Sequence, residues 1–298
     1  MLSARPGPRH NAEGGGRTHM AETRKYAVFG NPIKHSKSPL IHAAFAAQFG
    51  HRIEYRAVRV ELGEFEKTVR GFFAAGGCGL NVTVPFKTEA SALAECQSER
   101  SLRAKAANFL QIDAQGRLYA DNTDGLGLVR DMVVNQGWSL QGARILILGA
   151  GGAARGVIEP LLQERPRSLF IANRTAAKAL ELAAEFSELG DVGGGGFAEL
   201  ESRAFDLVIN ATSAGLSGEA LSLPPSLLTE RSCCYEMVYG PEPSPFMRWA
   251  AQHAAWAVAD GAGMLVEQAA ESYYRWHGVR PETAPVIRAV REALSLAA

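Results

Sequence analysis

Three groups of residues have the types and spacing to do chemistry. The first is Gly149-Ala150-Gly151-Gly152-Ala153-Ala154, directly after the apolar run Arg144 to Leu148. Glycines there permit a tight turn and a close backbone approach. A helix opening from that turn aims unpaired N–H groups and a positive dipole end at a pyrophosphate. Ala154 stands where the dinucleotide fingerprint has its third glycine, a replacement that the fingerprint accepts. The second group is Asn173-Arg174-Thr175, with Lys178 one helical turn further on, closing the strand-like run that starts at Ser168. A ribose with a free 2′-hydroxyl calls for a carboxylate at this place, whereas a guanidinium, an ammonium and a hydroxyl suit a 2′-phosphate. Together the two groups point to NADP(H) and hydride transfer. A glycine-rich turn between an ordinary strand and helix, with Lys178 merely solvated, is the plainer reading of the same residues.

The third group lies earlier in the chain. Asn81-Val82-Thr83-Val84-Pro85-Phe86-Lys87 ends a predicted strand, and Asp121-Asn122-Thr123-Asp124-Gly125 sits at the passage into the nucleotide-binding segment. Open α/β sheets place their sites at the carboxyl ends of strands. Reducing a ketone builds negative charge on oxygen, and an ammonium in hydrogen-bond reach can donate the proton and stabilise that charge. Such a general acid contributes roughly 10² to 10⁴ in rate. An aspartate facing Lys87 would hold the ammonium in place. On residue type alone, Lys87 also reads as a solvated surface lysine and Asp124 as a helix N-cap.

Elements must position these groups, and 298 residues suit two domains. The hydrophobic fraction of 47% supplies an ordinary core, and 21% charged residues is usual for a globular chain. Lysine plus arginine balances aspartate plus glutamate at 31 each, so no electrostatic footprint for nucleic acid or an anionic membrane is expected. No apolar run reaches the roughly 18 residues needed to span a bilayer. Cys78, Cys96, Cys233 and Cys234 form no CxxC pair and have no accompanying histidine spacing. They read as reduced thiols of a cytoplasmic protein, with no metal expected. Residues 1–23 are rich in glycine, proline and arginine and lack an apolar h-region, which argues against a secretory signal and predicts disorder. Met20, just before the first strand-like run, is an alternative native start.

From Lys25 the pattern alternates. Strands are predicted at Lys25 to Phe29, Tyr55 to Val60 and Gly79 to Val84, in a mostly parallel sheet. Between them come a helix capped by Ser38, with Pro39 first and Gly50 last, and another marked by Leu62, Phe65, Val69, Phe72 and Phe73. Helices near Ala90 to Ala94 and over Ser101 to Ala107 precede a hairpin over Leu110 to Tyr119. A helix over Asp124 to Gln136 leads to strands at Arg144, Ser168, Asp206, Cys233 and Ala257. Gly193 to Gly196 reads as a flexible loop, and Met264 to Trp276 and Pro285 to Leu294 as helices returning to the first unit.

The segments YAVFGNPIKHSKSP (Tyr26 to Pro39), GGCGLNVTVPFK (Gly76 to Lys87), DNTDG (Asp121 to Gly125), LGAGGAARG (Leu148 to Gly156), NRT (Asn173 to Thr175), INATSAG (Ile209 to Gly215) and DGAGMLVEQAA (Asp260 to Ala270) closely resemble the shikimate dehydrogenase family, in order, from about residue 24 onward. The resemblance implies NADPH-dependent reduction of 3-dehydroshikimate to shikimate on an α/β fold of two domains. These are an N-terminal α/β substrate-binding domain over 24–123, completed by helices over 261–298, and a Rossmann-type NADP-binding domain over 124–260. The active site would lie in the cleft between them. Carried over by position, Lys87 and Asp124 are the implied catalytic pair. Ser36, Ser38 and Tyr239 fall where the family holds the substrate carboxylate; Asn81, Thr83, Asn108 and Gln268 fall around the hydroxylated ring. Gly149, Ala150, Gly151, Gly152, Ala153, Asn173, Arg174, Thr175, Lys178, Met237, Gly261 and Met264 fall where the family meets the cofactor. His35 is read as structuring its loop. A polyhydroxylated acid does need neutral hydroxyl and amide partners, since an unpaired buried polar group is costly.

Three positions depart from the family pattern. Lys105 replaces a glycine, Phe109 replaces a threonine beside Asn108, and Glu236 stands where an aspartate is usual. Phe109 is expected to reshape the ring pocket. Rival readings are a paralogue acting on quinate as well as shikimate, or using NAD, and a silent homologue that only binds shikimate. The NRT segment opposes NAD, and the retained Lys87 and Asp124 oppose silence. A homodimer is admitted by the sequence without being required by it.

Overall fold

The computed structural model describes residues 23–212 and 220–296. The extension expected to be disordered, with Met20, lies outside the described residues apart from Thr23, as do Ser213 to Gly215 of the INATSAG segment.

Two six-stranded sheets organise the described chain. The first holds β1 (Arg24–Gly30), β2 (Ile53–Arg59), β3 (Gly77–Val82), β4 (Cys96–Gln97), β5 (Phe109–Ile112) and β6 (Leu118–Asp121) in the order β2-β1-β3-β5-β6-β4. Strands β1, β2 and β3 run parallel, while β5 pairs antiparallel with both β3 and β6. The sheet is therefore mixed where a mostly parallel one was expected. The hairpin of β5 and β6 sets β5 antiparallel to β3, although two helices and β4 intervene in the chain between β3 and β5. Between the strands lie α1 (Ser38–Phe49), α2 (Phe65–Ala74), α3 (Lys87–Leu93) and α4 (Glu99–Ala104). Phe65 and Val69 of α2 and Ala90 of α3 bury against Phe29, Leu80 and Val82.

The second sheet holds β7 (Arg144–Leu148), β8 (Ser168–Ala172), β9 (Val192–Gly195), β10 (Phe205–Asn210), β11 (Leu228–Glu236) and β12 (Ala257–Asp260), ordered β12-β11-β10-β7-β8-β9 with every pairing parallel. Counted from β7, that is the doubly wound order whose direction reverses beside the first strand, and ligands sit at such a switch point. Ile145 and Ile147 face one core cluster and Leu146 and Leu148 the other, as a strand buried on both faces requires. The first cluster is covered by α5 (Asp124–Arg130), α6 (Gly152–Gln163) and α7 (Ala176–Phe186), and the second by α8 (Pro245–Gln252). Two last helices, α9 (Ala262–His277) and α10 (Ala284–Ser295), pack Val266, Ala270, Tyr273, Val286 and Val290 on Ile41 and Phe45 of α1.

Three local expectations are corrected. Gly193 to Gly195 are not loop but part of edge strand β9. A Cβ on Gly194 would lie 2.4 Å from the Ala179 carbonyl oxygen, so glycine lets the α7 backbone settle on the strand. The helix from Asp124 is α-helical only to Arg130, and Asp131 to Asn135 form a wider π turn. There the buried Asp131 carboxylate accepts from Tyr235 Oη at 2.6 Å and from Asn135 Nδ2 at 2.9 Å. Ser38 does not cap α1: Lys37 holds that position, and Ser38 is the first helical residue, its own N–H donating to Ser36 Oγ at 3.3 Å.

Candidate active site

A cleft of about 320 Å³ opens between the two units, at the small end of the range for small-molecule sites. Its first wall is Ser36, Ser38 at the start of α1, Asn81 and Thr83, and its second is Met237, Tyr239, Gly261 and Met264. Lys87, Asn108, Asp124 and Gln268 line it as well.

Lys87 is placed by its neighbour. Phe86 is fully buried and stacks on Phe65 at 4.9 Å, which pins the turn after β3 and starts α3 with the lysine directed into the cleft. The Lys87 carbonyl also accepts from the Ala107 N–H at 2.8 Å. Asp124 opens α5, held by its N–H donating to Asn122 Oδ1 at 3.1 Å, and Asn122 is fixed in turn to the Ala106 carbonyl at 3.0 Å. One step back, the fully buried Asp121 accepts from Arg100, Arg275 and Ser98, which locks the end of β6. Lys87 Nζ thereby donates to Asp124 Oδ2 at 2.5 Å.

The other Asp124 oxygen accepts from Asn108 Nδ2 at 2.8 Å. Asn108 is oriented by its own oxygen, which takes the Thr123 N–H at 2.8 Å, so its nitrogen must face Asp124 and Gln268 Oε1, the latter at 3.1 Å. Gln268 Nε2 is held on the Leu265 carbonyl at 2.8 Å. Thr123 belongs to this network through a donation to the Gln268 carbonyl at 3.1 Å, although residue type alone does not mark it out. Burial pushes the Tyr239 phenol above its usual range, so the hydroxyl stays neutral in the cleft.

The three departures fall into place differently. Phe109 is fully buried and stacks on Trp276 at 5.3 Å, on the sheet face it shares with its cross-strand partner Asn81. It does not line the cleft, contrary to expectation, because its ring packs on Trp276 near the far end of α9. Lys105 ends α4 at φ +51, a left-handed position that suits a glycine, and its ammonium reaches Glu185 of α7 at 3.1 Å. Glu236 is buried behind the cleft wall and accepts from Asn210 at 2.9 Å and Ser244 at 2.7 Å.

Beyond the cleft, the turn after β7 is shaped for a dinucleotide. Gly149 has φ +103, and its N–H donates to the Ala172 carbonyl at 2.7 Å, bending the chain from β7 into α6. A Cβ at Gly151 or Gly152 would meet nothing within 4 Å, so the space above the first turn of α6 is open, with Ala153 exposed at its rim. Ala154 instead packs into the core, as the third fingerprint position should. At the end of β8, Asn173 Nδ2 donates to the Thr175 carbonyl at 3.0 Å, and Arg174, Thr175 and Lys178 are all exposed. Arg174 and Lys178 make no ion pair among the described residues. An open helix N-terminus and an uncommitted guanidinium fit the diphosphate and 2′-phosphate of NADP(H).

Comparison with known proteins decides the family. Residues 28–110 match the shikimate dehydrogenase substrate binding domain, 131–217 match shikimate / quinate 5-dehydrogenase, and 261–291 match the shikimate 5′-dehydrogenase C-terminal domain. The chain belongs to the shikimate dehydrogenase family. Within that family, shikimate dehydrogenase (NADP(+)) of Alkalilimnicola ehrlichii is 56% identical over 90% of this chain and 99% of its own length. The Methylococcus capsulatus protein of the same name is 54% identical over 90% of this chain and 96% of its own. The structure of shikimate 5-dehydrogenase from Thermus thermophilus in complex with NADP(H) and shikimate is 30% identical, with a TM-score of 0.81, and the match covers 91% of this chain and 100% of that one.

Among the described residues, no helix is long and apolar enough to cross a membrane, and no group of three or more candidate metal ligands occurs.

Proposed function

We propose that this chain catalyses the reversible, NADPH-dependent reduction of 3-dehydroshikimate to shikimate, with Lys87 and Asp124 as its catalytic pair. The observation that carries the reading is the 2.5 Å contact between the Lys87 ammonium and Asp124 at the meeting of the two units. Bound NADPH would supply the hydride. Gly149, Ala150, Gly151, Gly152 and Ala153 would cradle its diphosphate, and Arg174, Thr175 and Lys178 would receive the 2′-phosphate beside Asn173. Met237, Gly261 and Met264 would line the nicotinamide end.

In this reading Lys87 donates a proton to the ketone oxygen as negative charge develops there, and takes one back in the oxidising direction. Asp124 keeps the ammonium aimed, and Asn108 prevents the carboxylate from turning. Ser36, Ser38 and Tyr239 hold the acid's carboxylate through neutral hydroxyls. Asn81, Thr83, Asn108 and Gln268 pair with ring hydroxyls that would otherwise be buried unsatisfied. An intact Lys87–Asp124 pair favours turnover over silent binding.

The same reading takes 24–123 with 261–298 as the substrate-binding domain and 124–260 as the nucleotide-binding domain. All four cysteines are free thiols, in keeping with a reducing cytoplasm. Steady-state rates of purified protein with shikimate and quinate, each against NADP and NAD, test the assignment. Shikimate with NADP is expected to give the highest kcat/KM. A preference for quinate or NAD, or no turnover with any pair, contradicts it.

A further inference from the structure

The amide of Asn81 is more tightly specified than a cleft residue needs to be for packing alone. Its Nδ2 lies 3.0 Å from the Asn108 carbonyl oxygen and 2.9 Å from Ser272 Oγ, while its Oδ1 lies 2.7 Å from Tyr55 Oη. A backbone carbonyl only accepts, so the amide nitrogen has to face Asn108 and the amide oxygen has to face Tyr55. The Ser272 proton goes to the Gln268 carbonyl at 3.1 Å, which leaves its oxygen free to accept from Asn81. Both amide protons are thus committed, and Tyr55 must be the donor to Oδ1. What remains for a ligand is one lone pair on the Asn81 oxygen.

Tyr55 is itself held. Its ring stacks on His42 of α1 with centroids 4.2 Å apart and planes 8° from parallel. Burial pushes its phenol well above the usual range, so the hydroxyl keeps its proton. Half-buried on edge strand β2, it stands behind the cleft, outside the residues that line it.

We propose that Tyr55 is a positioning residue for substrate recognition: by donating to Asn81 Oδ1 it fixes the amide as an acceptor, so that Asn81 receives a proton from one ring hydroxyl of the substrate. This rests on the reading of Asn81 as a substrate contact and gives that contact a direction. Asn108 is fixed with the opposite polarity, its oxygen committed to the Thr123 N–H and its nitrogen toward Asp124 and Gln268.

The test is the kinetics of Tyr55→Phe in the full chain, with shikimate and with analogues that each lack one ring hydroxyl. Loss of one neutral hydrogen bond is worth about tenfold in affinity, so the shikimate KM should rise about tenfold with kcat within about twofold. The penalty should fall below about twofold for the one analogue that lacks the hydroxyl donated to Asn81. A KM unchanged by Y55F, or an equal loss with shikimate and every analogue, overturns the proposal, because a tyrosine acting only through packing would not discriminate among them. Asn81→Ala separates the premise from the inference. If N81A leaves the shikimate KM unchanged, Asn81 is not a substrate contact; if N81A raises KM and Y55F does not, Tyr55 is not its positioning residue. Should Y55F fail to fold, Ser272→Ala loosens the same amide from its nitrogen side and must show the same analogue-selective loss.

Discussion

Asp124 divides its two oxygens between a cation and an amide, one accepting from Lys87 at 2.5 Å and the other from Asn108 at 2.8 Å. A carboxylate held from both sides keeps one rotamer, and the ammonium it anchors retains protons for a ligand. Arg174 is the reverse case, a guanidinium exposed and held by no ion pair among the described residues. A charge-assisted hydrogen bond contributes about 1.5–3 kcal/mol, or roughly 10- to 100-fold in affinity. Arg174→Ala should therefore raise the KM for NADPH by that factor and change the KM for NADH little. Equal losses with both cofactors, measured as initial rates, would remove the 2′-phosphate from the account.

At the scale of elements, α5 is the piece that brings both halves of the site together. A Cβ at Gly127 would stand 2.6 Å from the Gln268 backbone nitrogen and 2.8 Å from the Met264 carbonyl oxygen, so α5 lies backbone to backbone against α9. Backbone atoms cannot rotate out of the way, and overpacking of this kind costs about 1–3 kcal/mol. Gly127→Ala should lower the thermal midpoint and also reduce kcat, since displacing α5 moves Asp124 and loosens Gln268. A variant with parental melting and turnover would show that the close approach does not matter.

The same elements show what periodicity and motif chemistry can and cannot reveal. Strands β7 and β8, the turn at Gly149 and the helix after it are legible because each announces itself locally, through a β-branched run, glycines and an opening helix. Strand β9 reads as loop because its signal lies in what packs on it, and a run of glycines looks the same whether solvent or the Ala179 backbone is opposite. Sequence adjacency to Asn108 points Phe109 at the ring pocket, whereas its ring is taken up by Trp276, a partner distant in the chain that no local pattern foretells. Tyr55 escapes a sequence reading for the same kind of reason, since it meets Asn81 at a separation of 26 positions and through a side-chain hydrogen bond that no spacing rule foretells.

For the whole molecule, the two units are joined by more than the cleft. Arg155 of α6 and Lys105 at the end of α4 converge on Glu185 of α7, and together they draw its carboxyl down to about 2 despite partial burial. Helix α4 of the first unit is thus tied to two helices of the second on the side where Asn122 and Gly156 also touch. Ser36 of the first unit and Tyr239 of the second both line the cleft.

The proposed reaction joins a lysine of the first unit to a hydride that comes from the second. Its most direct test is the steady-state oxidation of shikimate with NADP by Lys87→Ala, with kcat and KM measured separately. Removal of a general acid–base group predicts a fall in kcat of roughly 10² to 10⁴, with the KM for shikimate within about threefold of the parent. A kcat within a factor of about two of the parent would contradict it.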